Sequence, residues 1–179
     1  PKLRVGQFVG GGLASIWLNG RTLTLSCTND TTLASLNDSG TLVRNGTATV
    51  TWGGGTFSGS AVLNGGAFHV YPNLAGCTNV TVNSGATLSW QWNSSGLPPR
   101  LVLNGNGYNE NGALNGHNLS NGSIPITGEV VVASAATVIR SGGVQDLTFT
   151  GNLYGPGALT LTGGGRFHVA RAGRWQLRQ

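Results

Sequence analysis

Short runs of alternating apolar and polar residues recur along the chain, as in Leu23-Thr24-Leu25-Ser26, Leu147-Thr148-Phe149-Thr150 and Leu159-Thr160-Leu161-Thr162. Successive side chains of a strand point to opposite faces, so each such run buries one face and leaves the other in solvent. The pattern predicts strands at Arg21–Cys27, Thr47–Trp52, Ala67–Tyr71, Val80–Val82, Thr87–Trp92, Arg100–Leu103, Glu129–Ala133, Thr137–Arg140, Leu147–Thr150, Ala158–Thr162, Arg166–Ala170 and Trp175–Arg178. No amphipathic run of helical length survives the Gly, Asn and Pro residues that interrupt nearly every window.

Between the strands lie Gly-Gly, Asn-Gly and Ser-Gly pairs and triple glycines at 10–12, 53–55 and 163–165, which supply turns that need positive φ. Short strands and such turns fit a sandwich, a barrel or a solenoid, and internal repetition separates these. Gly65-Gly66-Ala67-Phe68-His69-Val70 returns as Gly164-Gly165-Arg166-Phe167-His168-Val169. Cys27-Thr28-Asn29 returns as Cys77-Thr78-Asn79, and Val62-Leu63-Asn64-Gly65 as Val102-Leu103-Asn104-Gly105. The spacings are multiples of about 20–25 residues, a suitable length for one solenoid coil. The expected fold is therefore all-β: a right-handed parallel β-helix of about 7–9 coils, one elongated domain over 1–179, with coils about 4.8 Å apart.

The segment Leu147-Thr-Phe-Thr-Gly-Asn-Leu-Tyr-Gly-Pro-Gly-Ala-Leu-Thr-Leu-Thr-Gly163 resembles the passenger-associated β-strand repeat of bacterial autotransporters and related surface proteins. Upstream, Asn118-Leu-Ser-Asn-Gly-Ser-Ile-Pro-Ile-Thr-Gly-Glu-Val-Val-Val-Ala-Ser-Ala-Ala-Thr-Val-Ile-Arg140 is similar to the strand pair that precedes it. The resemblance covers about residues 79–165 and implies a right-handed parallel β-helix exported to the cell surface. The sequence departs from that family in having no membrane-translocating barrel and no long array of perfect repeats.

Composition agrees with a structural role. Of 179 residues, 31 are Gly and none is Met; charged residues make up 8% and hydrophobic residues 39%, against about a quarter charged in an average globular protein. The apolar content is enough to build a core, which argues against disorder. The chain opens at Pro1 without a starting Met or a charged-then-apolar leader, so a processed start is expected. No apolar run approaches the roughly 18 residues of a membrane span. Four Arg residues (Arg166, Arg171, Arg174, Arg178) crowd the last stretch while the other basic residues are scattered, so the expected partner is an acidic surface or a neighbouring subunit, with no nucleic acid.

The candidate chemistry is sparse. The five carboxylates are Asp30, Asp38, Glu110, Glu129 and Asp146, and the two nearest in sequence, Asp30 and Asp38, sit in turn contexts where Asp ordinarily caps backbone. A catalytic pair, as in a β-helix polysaccharide-active enzyme or a tailspike fragment, is the alternative reading. His69 and His168 match in the repeat without ligand-type companions, and the triple glycines lack the Asp of calcium-binding coils, so no cofactor, metal or catalytic residue is expected. Trp90 and Trp92, two apart on one strand, share a face and offer a glycan platform if exposed, which is the binding-module alternative. Cys27 and Cys77 are candidates for a disulfide if they lie within about 7 Å. Seven Asn-x-Ser/Thr triplets, from Asn29 to Asn121, mark surface turns.

These readings lead to a non-enzymatic, extracellular or cell-surface building block. Its terminal strands, around Leu3 and Val5 at one end and Arg171, Arg174, Trp175 and Leu177 at the other, are the expected contacts for end-to-end stacking of subunits, with surface glycans as possible further partners.

Overall fold

A computed structural model describes residues 2–5, 13–71, 74–91, 96–117, 124–141, 146–164 and 166–169. The chain opens with β1 (Lys2–Val5), β2 (Leu13–Trp17), β3 (Thr22–Ser26), β4 (Thr31–Asn37), β5 (Thr41–Asn45) and β6 (Thr49–Trp52). It continues through β7 (Ser60–Leu63), β8 (Gly66–Val70), β9 (Asn79–Val82), β10 (Ala86–Gln91), β11 (Arg100–Gly105) and β12 (Leu114–His117). The last strands are β13 (Ile124–Ile126), β14 (Glu129–Ser141), β15 (Leu147–Phe149), β16 (Leu153–Tyr154), β17 (Leu159–Gly163) and β18 (Phe167–Val169). A single 3-10 turn, Tyr108–Glu110, is the one helical element among the described residues.

All pairings are parallel, and up to β12 the odd and even strands stack separately, which makes the chain a β-solenoid of about 7 turns. The first face runs β1-β3-β5-β7-β9-β11 into the first half of β14 and then β16. The second runs β2-β4-β6-β8-β10-β12 into the second half of β14 and then β17. A third, narrower face holds β13, β15 and β18, and nearer the N-terminus a bridge between Asp38 and Phe57.

The physical repeat unit is a Thr or Ser, two inward positions flanking one outward residue, then Asn and Gly. It reads Thr41-Leu42-Val43-Arg44-Asn45-Gly46 and Ser60-Ala61-Val62-Leu63-Asn64-Gly65 on successive coils. Alternation puts one inward column through Leu23, Leu42, Ala61, Val80, Leu101, Val130 and Leu153. A second runs through Leu25, Arg44, Leu63, Val82, Leu103 and Val132. Every member of both columns is buried. Each aliphatic side chain so buried contributes about 1.5–3 kcal/mol, and none would be covered by its own coil alone.

Asn residues close the first-face strands and join coil to coil: Asn64 donates to Asn45 Oδ1 at 2.8 Å and Asn83 to Asn64 Oδ1 at 2.7 Å. Each pair is 19 residues apart, shorter than the 20–25 expected. One later coil is much longer, with Arg100 and Glu129 in register at 29 residues. Glu129–Ala133 and Thr137–Arg140, expected as separate strands, form one, because β14 turns the corner without leaving strand geometry; the register shift falls between Leu103 and Gly105 of its partner.

Of the three sequence repeats, one is in register. Val62-Leu63 and Val102-Leu103 lie two coils apart in the same columns. The other two are coincidences of composition. His69 is on β8 of the second face whereas His168 is on β18 of the third, and Cys27 follows a first-face strand whereas Cys77 precedes one. No helix among the described residues is long and apolar enough to cross a membrane.

Candidate functional site

The second face shows why Trp90 is no glycan platform. Its inner column runs Leu33, Trp52, Val70, Trp90, Gly116. Trp90 is 2% exposed; flanking Val70 and Gly116 are small enough to accommodate the indole in a stack whose backbones are about 4.8 Å apart. Trp52 fills the same column two coils away. It stacks on Phe68, meets Phe57 edge-on (centroids 6.2 and 6.1 Å), and donates its indole N–H to the Gly54 carbonyl. The platform, conditional on exposure, is therefore not available at Trp90; Trp92 lies outside the described residues.

The disulfide is corrected as well. Cys27 and Cys77 are both free and buried, on coils that β5 and β7 separate. Cys77 sits 3.8 Å through Sγ from the Phe57 carbonyl. Burial pushes its thiol pKa up to about 12, because an ionised sulfur would lose its hydration. Native protein at pH 8 should therefore give no rapid reaction with Ellman's reagent, and denaturant should release both thiols. Prompt labelling of Cys77 in the folded state would contradict this burial. The unfolded thiol, with its ordinary value of 9.0, ionises first, so this group's contribution to stability is present below that pH and is lost as pH rises toward 12.

The remaining expected sites are dispersed. Asp30 and Asp38 lie at opposite ends of β4. Asp30 accepts the Thr49 amide at 2.7 Å, and Asp38, with φ of 66°, bridges to Phe57. Asp146 and His168 meet at 3.2 Å on the third face. Leu3 and Val5 belong to β1 and are in backbone register with Leu23 and Leu25. Arg171, Arg174, Trp175 and Leu177 lie outside the described residues. No group of three metal-ligating side chains occurs among the described residues.

Two features escaped sequence reading. Arg44 is completely buried in an otherwise aliphatic column. Its guanidinium donates to the carbonyls of Asn45, Gly46 (2.9 Å) and Ala48 at the corner between the first two faces, and burial depresses its pKa. On the second face, the loop 106–113 folds over outward positions that elsewhere meet water. Thr87 Oγ1 accepts the Tyr108 amide at 2.8 Å and donates to Gly112 at 2.9 Å, Asn115 donates to Asn111 at 3.0 Å, and Thr87, Ser89 and Asn115 are buried.

The first face remains open, and its outer surface carries a connected polar cluster. Arg100 Nη1 donates to Asn79 Oδ1 at 3.2 Å and its Nε to Glu129 Oε2 at 2.8 Å. Tyr154 donates its hydroxyl to Glu129 Oε1 at 2.5 Å. The hydrogen bond to Glu129 raises the Tyr154 pKa, aided by burial and the carboxylate's charge, since each favours the neutral phenol. These four residues come from four successive coils, β9, β11, β14 and β16. Comparison with protein families, curated proteins and solved structures finds no match to this chain.

Proposed function

We propose that the chain is a non-enzymatic structural and adhesive element of an extracellular or cell-surface rod. The observation that carries this reading is the parallel stack itself: inward columns, aliphatic except at Arg44, run from β3 to β14, and coil-to-coil contact supplies the core. Such a quasi-one-dimensional body is suited to spanning distance and presenting long flat faces.

The similarity of 147–163 to autotransporter passenger repeats supports a place at the cell surface; that segment contributes β15, β16 and β17, one coil of the stack. End-to-end self-association is part of the proposal. Within the described ladder β1 and β2 each pair on one side only, and a parallel strand edge accepts a further coil, from the same chain or from a second copy. Negative-stain electron microscopy of concentrated protein tests it. Rods longer than one chain, growing with concentration, are the expected result; sedimentation as a single monomeric species at every concentration would remove the self-association.

A further inference from the structure

We propose that the outer first face around Asn79, Arg100, Glu129 and Tyr154 is a binding site for a neutral polysaccharide. The inference deepens the adhesive part of the proposed role by naming its ligand, and rests on that reading. The outward positions of β3, β5 and β7 are Thr, Ser, Val and Asn. Arg100 and Glu129 are the only charged side chains at described outward positions from β3 to β16. They are thus a local departure from an otherwise uncharged repeat.

Two adjacent outward columns meet there. One is polar: Asn79, Arg100 and Glu129, continuous through hydrogen bonds of 3.2 and 2.8 Å. The other is half-exposed and largely apolar: Thr81, Val102, Val131 and then Tyr154, in register. A pyranose ring has the matching division, with hydroxyls around its rim and C–H bonds on its faces. The Tyr154 ring, 37% exposed, offers an apolar face with a polar tip.

The polar column is held ready and incompletely used. The Arg100 side chain is 46% exposed and that of Glu129 33%. The Arg100 bonds to Glu129 and Asn79 engage Nε and Nη1, two of the five N–H donors a guanidinium carries. The Glu129 carboxylate accepts one bond on each oxygen out of about four acceptor positions, so both residues keep capacity for sugar hydroxyls. Mutual tethering limits the ordering cost of binding. The ion pair is internally compensated, and a carboxylated or sulfated sugar would meet Glu129 beside Arg100, so the chemistry favours uncharged sugars.

The test is titration of the purified chain with gluco-, manno- and galacto-hexasaccharides, and with a hexasaccharide of uronic acids, followed by NMR and calorimetry. At least one neutral hexasaccharide is expected to bind. Tyr154→Ala and Arg100→Ala should each weaken it about tenfold or more. Tyr154→Phe, which keeps the ring, should retain most of the affinity, and Thr24→Ala, on the same face at distant coils, should change nothing. Circular dichroism melts confirm that the variants fold, and Arg100→Gln replaces Arg100→Ala if that variant does not. No binding to any neutral hexasaccharide, preference for the uronic acids, or binding unmoved by Tyr154→Ala would overturn the site. Assembly into rods, read separately by microscopy, should be unchanged in Tyr154→Ala, so failure of this site is distinguishable from failure of the structural role.

Discussion

Replacing Arg44 with Ala is expected to cost about 3–5 kcal/mol, among the largest single-residue effects in the chain. The guanidinium holds three carbonyls at one corner, and hydrogen bonds to a charged donor contribute about 1.5–3 kcal/mol each. Truncation strips those carbonyls of the guanidinium, leaving Asn45 and Ala48 only their backbone donors from Cys27 and Ala67, and opens a void between Leu25 and Leu63, its column neighbours. Water entering the void would recover part of the loss, which keeps the expected value below the sum.

Arg44→Leu separates the two contributions. It completes the aliphatic column and removes a buried charge that makes no direct salt bridge among the described residues, but it still strips the corner of its guanidinium donors. Its loss should be smaller, about 1–3 kcal/mol. Urea unfolding followed by circular dichroism measures both. If Arg44→Ala unfolds within 1 kcal/mol of the parent chain, the corner bonds are not holding the coil.

Gly59→Ala should prevent the native stack from forming. A Cβ at that position would lie 1.8 Å from the Gly40 carbonyl oxygen and 2.6 and 2.7 Å from the Gly40 nitrogen and carbon, all backbone atoms of the neighbouring coil. Nothing there rotates away. The coils must part, breaking the bond from Ser60 to the Gly40 carbonyl (3.0 Å). A loss above about 4 kcal/mol is expected, beyond the usual range of point substitutions.

Gly85→Ala is the control. Its φ of +82° strains any L-residue, but an added Cβ meets nothing within 4 Å, so only the left-handed backbone cost of about 1–2 kcal/mol applies. Thermal melts of the two variants should differ widely; similar melting temperatures would show that coil-to-coil approach at Gly59 is looser than described.

The difference between these glycines also shows what was legible beforehand. Both stand in Gly-Ser or Ser-Gly contexts and read alike as turn punctuation, yet one is crowded by the next coil and the other is open. The same holds for strands. Leu23-Thr24-Leu25-Ser26 and Glu129–Ala133 declared themselves by alternation, whereas Thr41–Asn45 did not, because Arg44 occupies an inward position and reads as polar. Ser60–Leu63, Leu114–His117 and Leu153–Tyr154 were hidden by their brevity between glycines.

The binding cluster was beyond sequence reading for a related reason. Arg100 meets Asn79 across 21 residues, Glu129 across 29, and Tyr154 meets Glu129 across 25; no constant spacing joins them. Trp90 was found as a strand residue, and two-residue periodicity placed it with Trp92 on one face without saying that the face is the core.

Strand chemistry, turn chemistry and a solenoid of roughly the right number of coils follow from the amino-acid order alone, since period-two alternation and left-handed glycines are local properties of the backbone. The stacked fold alone decided that coil length varies between 19 and 29 residues, that Arg44 and Trp90 are interior, that the cysteines stay apart, and that four residues from four coils share one outer face. Stacking is a non-local choice. Insertions at the corners change sequence distance freely while leaving the strand-to-strand hydrogen bonds in register.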